Sequence, residues 1–196
     1  MRRVDPTQLS HRCPTCGTLL SDCVCVDLPR FHPPTRFLFL QHSTEIRKPT
    51  NTARLACRVL SNARCETWNR TCPPVLPADS LLLYPLPGAR ILQGEELARP
   101  RTLVIPDATW AQASRIANVL HNRGLPVASL PPDIQGRWGV RRGGEGFRVS
   151  SAEAAAFVLA LSGQEDASNV LLGAVAEAGR KILAMRGLPW PGEGSP

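Results

Sequence analysis

Arg101-Thr102-Leu103-Val104-Ile105-Pro106-Asp107-Ala108-Thr109-Trp110, in the middle of the chain, joins two elements of opposite character. Thr102 to Ile105 is a continuous, largely β-branched apolar run, the pattern of a strand covered on both faces, as in a parallel sheet. Pro106 and Asp107 are expected to end it. From Thr109 onward Trp110, Ala113, Ile116, Ala117 and Leu120 recur at helical spacing, so a helix starts where the strand stops. Asp107 therefore stands at the carboxyl end of a strand beside a helix amino terminus, where open α/β sheets bind their ligands. Asp107 or Thr109 can equally cap that helix, a common job for either residue type.

Working outward, Arg36 to Leu40, Arg64 to Trp68, Ser80 to Tyr84 and Val127 to Leu130 read as further strands. Helical patterns run from about Ala53 to Leu60, from Ser150 or Ser151 to Leu161, and from Ala167 to Arg186. Glu153 is placed for a capping box with Ser150, and Ala154 to Leu161 is apolar nearly all round, so that helix is expected to be buried. Alternating strands and helices predict an α/β domain with a mainly parallel sheet and flanking helices. Before the first helix, Thr50, Asn51 or Thr52 can act as its cap, and the same amino terminus attracts anionic groups. His42 is an isolated loop histidine and receives no role.

The charge is +7, carried almost wholly by arginine, with Lys48 and Lys181 the only lysines, and the isoelectric point is near 9.5. Arginine forks phosphate oxygens, so a polyanion such as RNA or DNA is a reasonable partner; arginine-biased coding produces the same composition. Asp133 to Phe147 is rich in Gly and Arg, with Arg137, Arg141, Arg142 and Arg148 around Trp138; this suits a nucleic-acid contact or a solvated loop. No apolar run is long enough to span a membrane, and the basic start lacks the apolar stretch of a secretory signal, which predicts a cytoplasmic protein. Nothing in the sequence specifies an oligomer, and a monomer is the default.

Seven cysteines argue against a complete disulfide framework. Cys13-Pro-Thr-Cys16-Gly17 has the form of a metal knuckle, and Cys23-Val-Cys25 supplies a second pair. Four thiolates favour Zn²⁺ in a closed, structural, tetrahedral site.

Several of these pieces share one resemblance. Asp107-x-Thr109-Trp110 resembles the signature of the DTW-domain family of tRNA-uridine aminocarboxypropyltransferases. The four-cysteine start, Glu45-Ile-Arg-Lys48-Pro-Thr50-Asn51-Thr52-Ala-Arg54-Leu, the strand ending Tyr84-Pro85, and Ser150-Ser-Ala-Glu153-Ala follow in the family's order. The resemblance implies a SPOUT-like catalytic domain over residues 31–188 with a deep trefoil knot. A basic arm and a four-cysteine zinc knuckle precede it at 1–30, and a tail follows at 189–196. It implies transfer of the 3-amino-3-carboxypropyl group of S-adenosylmethionine to N3 of a uridine in tRNA. Asp107 is the expected base and Thr109 its companion. Thr50, Asn51, Thr52, Tyr84, Pro85, Asp107, Thr109, Trp110 and Leu130 are expected around the donor, with core packing the leading role for Trp110. Arg47, Lys48, Arg54, Arg141 and Arg142 are expected to face RNA, or in part the donor carboxylate. The sequence departs from the family in having Trp138 where a tyrosine is common and Ser114 where a basic residue is common. Two rivals use the same features: an S-adenosylmethionine-dependent RNA methyltransferase, and a non-enzymatic zinc-knuckle RNA-binding protein. The second leaves Asp107 and the Thr50-Asn51-Thr52 loop without a purpose.

Overall fold

The computed structural model describes residues 11–136, 138–140 and 149–190; the basic arm before residue 11, residues 141–148 of the Gly- and Arg-rich stretch and the tail after residue 190 lie outside them. Six strands form one sheet: β1 (Arg36–Gln41), β2 (Ala63–Thr67), β3 (Ser80–Leu83), β4 (Arg90–Ile91), β5 (Thr102–Asp107) and β6 (Val127–Ser129). Their spatial order is β2-β1-β5-β3-β6-β4, and every pairing is parallel. The helices are α1 (Ala53–Val59), α2 (Trp110–Asn122), α3 (Ser151–Leu161) and α4 (Glu165–Ala184).

The alternation of side chains along a strand divides the core in two. Phe37, Phe39, Leu81, Leu83, Leu103 and Ile105 point to one face, under α1, α3 and α4. Leu38, Leu40, Leu82 and Val104 point to the other, where α2 lays down Ala113, Ile116, Ala117 and Leu120. Helices on both faces explain why β1 and β5 carry unbroken apolar runs. Each leucine so buried contributes about 1.5 to 3 kcal/mol relative to exposure. Helix α3 lies between the sheet and α4, which accounts for its apolar character on all sides.

One expectation needs correction. Strand β5 continues through Pro106 to Asp107, in register with Leu40 and Gln41 of β1. The Asp107 carbonyl accepts from His42 N at 3.0 Å, so Asp107 faces β1 and the neighbouring Pro106 is turned the other way. There β3 pairs only as far as Val104, so the missing proline N–H interrupts no ladder bond. Strand β4, an exposed two-residue edge strand too short to carry any periodicity, has no counterpart among the expected strands.

The order of strands creates the site. From β1 the chain leaves through α1 on one face and returns as β2 to the left; from β5 it leaves through α2 on the opposite face and reaches β6 to the right. The exits diverge between β1 and β5, which are adjacent and parallel. Such a topological switch point opens a crevice beyond the strand carboxyl ends. Gln41 and Asp107 stand side by side at its floor.

Candidate functional site

Asp107 is 2% exposed, and a buried carboxylate must be met by donors to remain charged. Three reach it from three distant segments. Gln41 Nε2 donates to Oδ2 at 3.0 Å from the end of β1, and Asn51 Nδ2 donates to the same oxygen from the loop before α1. Ser151 Oγ donates to Oδ1 at 2.7 Å from the first turn of α3. Asn51 Oδ1 also accepts from Arg54 N at 3.3 Å, while Thr52 Oγ1 accepts from Ala152 N at 3.3 Å. The loop, the strand end and the start of α3 are thereby tied at one carboxylate. Helix α3 is held there by the expected capping box: Glu153 Oε2 accepts from Ser150 N at 2.7 Å, and Ser150 Oγ accepts from Glu153 N at 3.4 Å. Two of the three donors, Gln41 and Ser151, are given no place at the site by the sequence reading. Gln41 is the polar residue closing an apolar strand, and Ser151 is legible in the sequence only as a cap.

A cavity of about 530 Å³ opens beside this junction, within the usual size range of small-molecule sites. Thr50, Thr52, Tyr84, Pro85, Asp107, Thr109, Trp110 and Leu130 all line it, while Asn51 stands behind Asp107 as its donor. Leu83, Ile105, Pro131 and Trp138 make much of the remaining wall apolar. Asp107 is the only acidic or basic side chain among the described residues that line it.

Thr109 occupies the N-cap of α2, and its hydroxyl donates to Gln112 Oε1 at 2.8 Å; the same oxygen accepts from Thr109 N at 3.1 Å. The hydroxyl is thus turned to its own helix. Trp110 lies with its ring 5.8 Å from that of Tyr84, and Tyr84 Oη donates to the Trp110 carbonyl at 3.3 Å. The indole both packs on the α2 side of the core and forms cavity wall.

Of the basic residues expected at RNA, Arg47 is exposed. Lys48 Nζ is paired at 2.5 Å with Glu45, whose side chain is fully buried. Arg54 Nη2 donates to the Lys48 carbonyl at 2.6 Å and Nη1 to that of Ile46 at 3.4 Å. Both brace the loop that carries Thr50 to Thr52. Arg141 and Arg142 lie outside the described residues.

At the amino-terminal side, Cys13, Cys16, Cys23 and Cys25 place all four Sγ atoms within 4.8 Å of one another. Cys13 and Cys25 are 4.0 Å apart and Cys16 and Cys23 3.8 Å. Sulfurs held ~2.3 Å from a central ion at tetrahedral angles are ~3.8 Å apart, so the donor set and its spacing fit a tetrahedral dication. The Cys16 thiol is pulled down to about 4, chiefly by the neighbouring Cys25 thiol and also by Thr18, against the effect of burial. The Cys25 thiol is pushed up by the neighbouring Cys16 thiol and by burial. One thiolate forms readily and the next is opposed; a bound dication would let all four ionise together.

A model of the DTW domain matches residues 10–182. Tsr3 from Vulcanisaeta distributa, a SAM-dependent rRNA:acp-transferase, is similar in fold: the TM-score is 0.56 at 19% identity, over 78% of this chain and 79% of that one. The tRNA-uridine aminocarboxypropyltransferase 2 of Macaca fascicularis is 27% identical over 177 residues, which cover 81% of this chain and 58% of the relative. The protein of the same name from Drosophila melanogaster is 30% identical over 128 residues, covering 57% and 50%. The chain thus spans little more than half the length of these curated relatives. With the family model covering most of its length, the cysteines, the Thr50-Asn51-Thr52 loop and Asp107-Ala-Thr109-Trp110 included, the chain belongs to the DTW domain family.

Proposed function

We propose that the protein transfers the 3-amino-3-carboxypropyl group of S-adenosylmethionine to N3 of a uridine in tRNA, releasing methylthioadenosine. The observation that carries this reading is the buried carboxylate at the switch point of the sheet, on the wall of a cavity that is otherwise uncharged and largely apolar among the described residues. A sulfonium donor is cationic, so a fixed anion in a low-dielectric cleft attracts it and orients it. Relatives named as aminocarboxypropyltransferases support the identity of the transferred group.

In this reading uridine N3 attacks the carbon bonded to the sulfonium. The carbon–sulfur bond breaks with its electron pair passing to sulfur, and the N3 proton leaves to Asp107. Oδ2 already accepts from two amides, whereas Oδ1 accepts only from the Ser151 hydroxyl and keeps a lone pair for the proton. The amides of Gln41 and Asn51 present N–H groups that cannot become acceptors. Oδ1 is therefore the atom that takes the proton, with the Ser151 hydroxyl holding that oxygen in place. Positioned base catalysis of this kind contributes about 10² to 10⁴ in rate. Orienting donor and uracil is the larger task, to which Thr50, Thr52, Tyr84, Pro85, Trp110 and Leu130 contribute as walls. Thr109 fixes the start of α2 and hence the position of Asp107 and Trp110.

Arg47, with Arg141 and Arg142, is assigned to tRNA phosphate, while Lys48 and Arg54 shape the donor loop. The four thiolates would hold Zn²⁺ in a closed site that cross-links the amino-terminal segment and takes no part in the transfer. The same reading puts the protein in the cytoplasm, where reducing conditions keep those thiols available. It also includes a SPOUT-like knotted path, supported by the way β5 enters the sheet between two strands that precede it in the chain. The test is to incubate the protein with S-adenosylmethionine and tRNA, digest the RNA and weigh the nucleosides. A uridine carrying the amino-acid adduct is expected; gain of one methyl group, or no change, overturns the reading.

A further inference from the structure

The four-cysteine knuckle does not hang free of the catalytic body. Cys13, Cys16 and Cys25 are buried in the larger core cluster. Arg58 of α1 donates to the Val26 carbonyl at 3.4 Å, and Lys181 of α4 donates to the Asp22 carbonyl at 3.1 Å. Arg12 bridges the knuckle turn to the end of α4, donating to the Gly17 carbonyl at 3.1 Å and touching Met185 Sδ at 3.3 Å.

Gly17, directly after the ligand Cys16, lies against Pro49. Its φ is +75°, a conformation that L side chains rarely adopt, and a methyl group added there would overlap the Pro49 carbonyl. Pro49 is the residue before Thr50-Asn51-Thr52. A continuous path of contact therefore runs from the thiolate cluster through Gly17 and Pro49 to Asn51, which holds Asp107, and to Thr52, which holds the start of α3.

We infer that the metal-bound knuckle is a positioning element of the donor site: Gly17, set by the ion beside it, is the stop against which the loop 49–52 rests. The inference builds on the reading of the cavity as an S-adenosylmethionine site. Gly17 meets the loop at Pro49, and Arg54, just beyond the loop, ties back to the Lys48 carbonyl just before it; releasing the knuckle lets Thr50, Thr52 and the Asn51 donor drift from the cavity wall. Displacements of about 1 Å at a positioning group commonly cost up to ~100-fold in function.

The test uses the full chain in its metal-loaded form. Gly17→Ala is compared with wild type for metal content, melting temperature and affinity for S-adenosylmethionine by calorimetry. Leu20→Ser, on the exposed side of the knuckle, serves as control. Expected is a Gly17→Ala protein that keeps its metal, melts cooperatively and binds the donor about tenfold or more weakly, with the control unchanged. Unchanged donor affinity in Gly17→Ala overturns the inference, whether the metal stays or leaves. If the variant loses both metal and affinity, chelator-stripped wild type must reproduce the weakening, and normal binding by the stripped protein overturns the inference. Failure of loaded wild type to bind the donor at all strikes the functional reading instead, so the two failures are distinct.

Discussion

The Asp107 junction and the four-cysteine knuckle are both buried polar sites, but they are completed in opposite ways. Asp107 is satisfied within the protein, by donors drawn from positions 41, 51 and 151. The knuckle gathers its groups from a span of thirteen residues, Cys13 to Cys25, with a donor set and spacing that fit an ion among them. One site depends on the whole fold being assembled. The other draws its groups from one short stretch of chain, and its contribution to the donor loop passes through the contact of Gly17 with Pro49.

That difference predicts different failures. The largest effect belongs to Cys16→Ser, which removes one of four ligands. Metal affinity should fall well beyond the ~10 to 100-fold caused by losing a supporting group around a metal, and metal analysis after dialysis should find the variant empty. Protease cleavage near residues 11–30 should accompany the loss while the sheet melts as a unit; cooperative melting of knuckle and sheet together would erase the contrast. Ser151→Ala should act at the other site, removing one hydrogen bond to a buried charge. A loss of about 1.5 to 3 kcal/mol in denaturant unfolding is expected, with metal content unchanged. Transfer should slow as well, because the hydroxyl that holds Oδ1 in place is gone; a variant of full activity would remove Ser151 from the positioning of the base. The smallest effect is expected outside both sites. Arg47→Ala should weaken tRNA binding evenly across sequences and lower the salt dependence by about one counterion, leaving donor affinity alone.

The same contrast explains what was legible in the sequence. Spacing alone exposes the knuckle, because its ligands are neighbours in the chain. The apolar run at Thr102 to Ile105 likewise announces a doubly covered strand, and helical periodicity locates α2 and α4. The partners of Asp107 are not legible, since Gln41 and Ser151 reach it only after β1 pairs with β5 and α3 packs beside them. Nor does charge reveal local pairing: Lys48 and Arg54, expected at phosphate or at the donor carboxylate, also bond within the loop, to Glu45 and to the Lys48 carbonyl. Pro106 reads as a strand end because proline usually is one. It escapes that rule only because β3 has stopped pairing on that side.

Asp107→Asn tests the central claim most directly, because the fold can accommodate it. The amide oxygen still accepts from Gln41 and Asn51, and its NH₂ can donate to a rotated Ser151 hydroxyl. Melting temperature should stay close to wild type, and S-adenosylmethionine should still bind, weakened by no more than about tenfold for the lost anion. Transfer of labelled aminocarboxypropyl to tRNA, measured with saturating donor, should fall by about 10² to 10⁴. Transfer at the wild-type rate by a folded, donor-binding variant would contradict the assignment of the proton to this carboxylate.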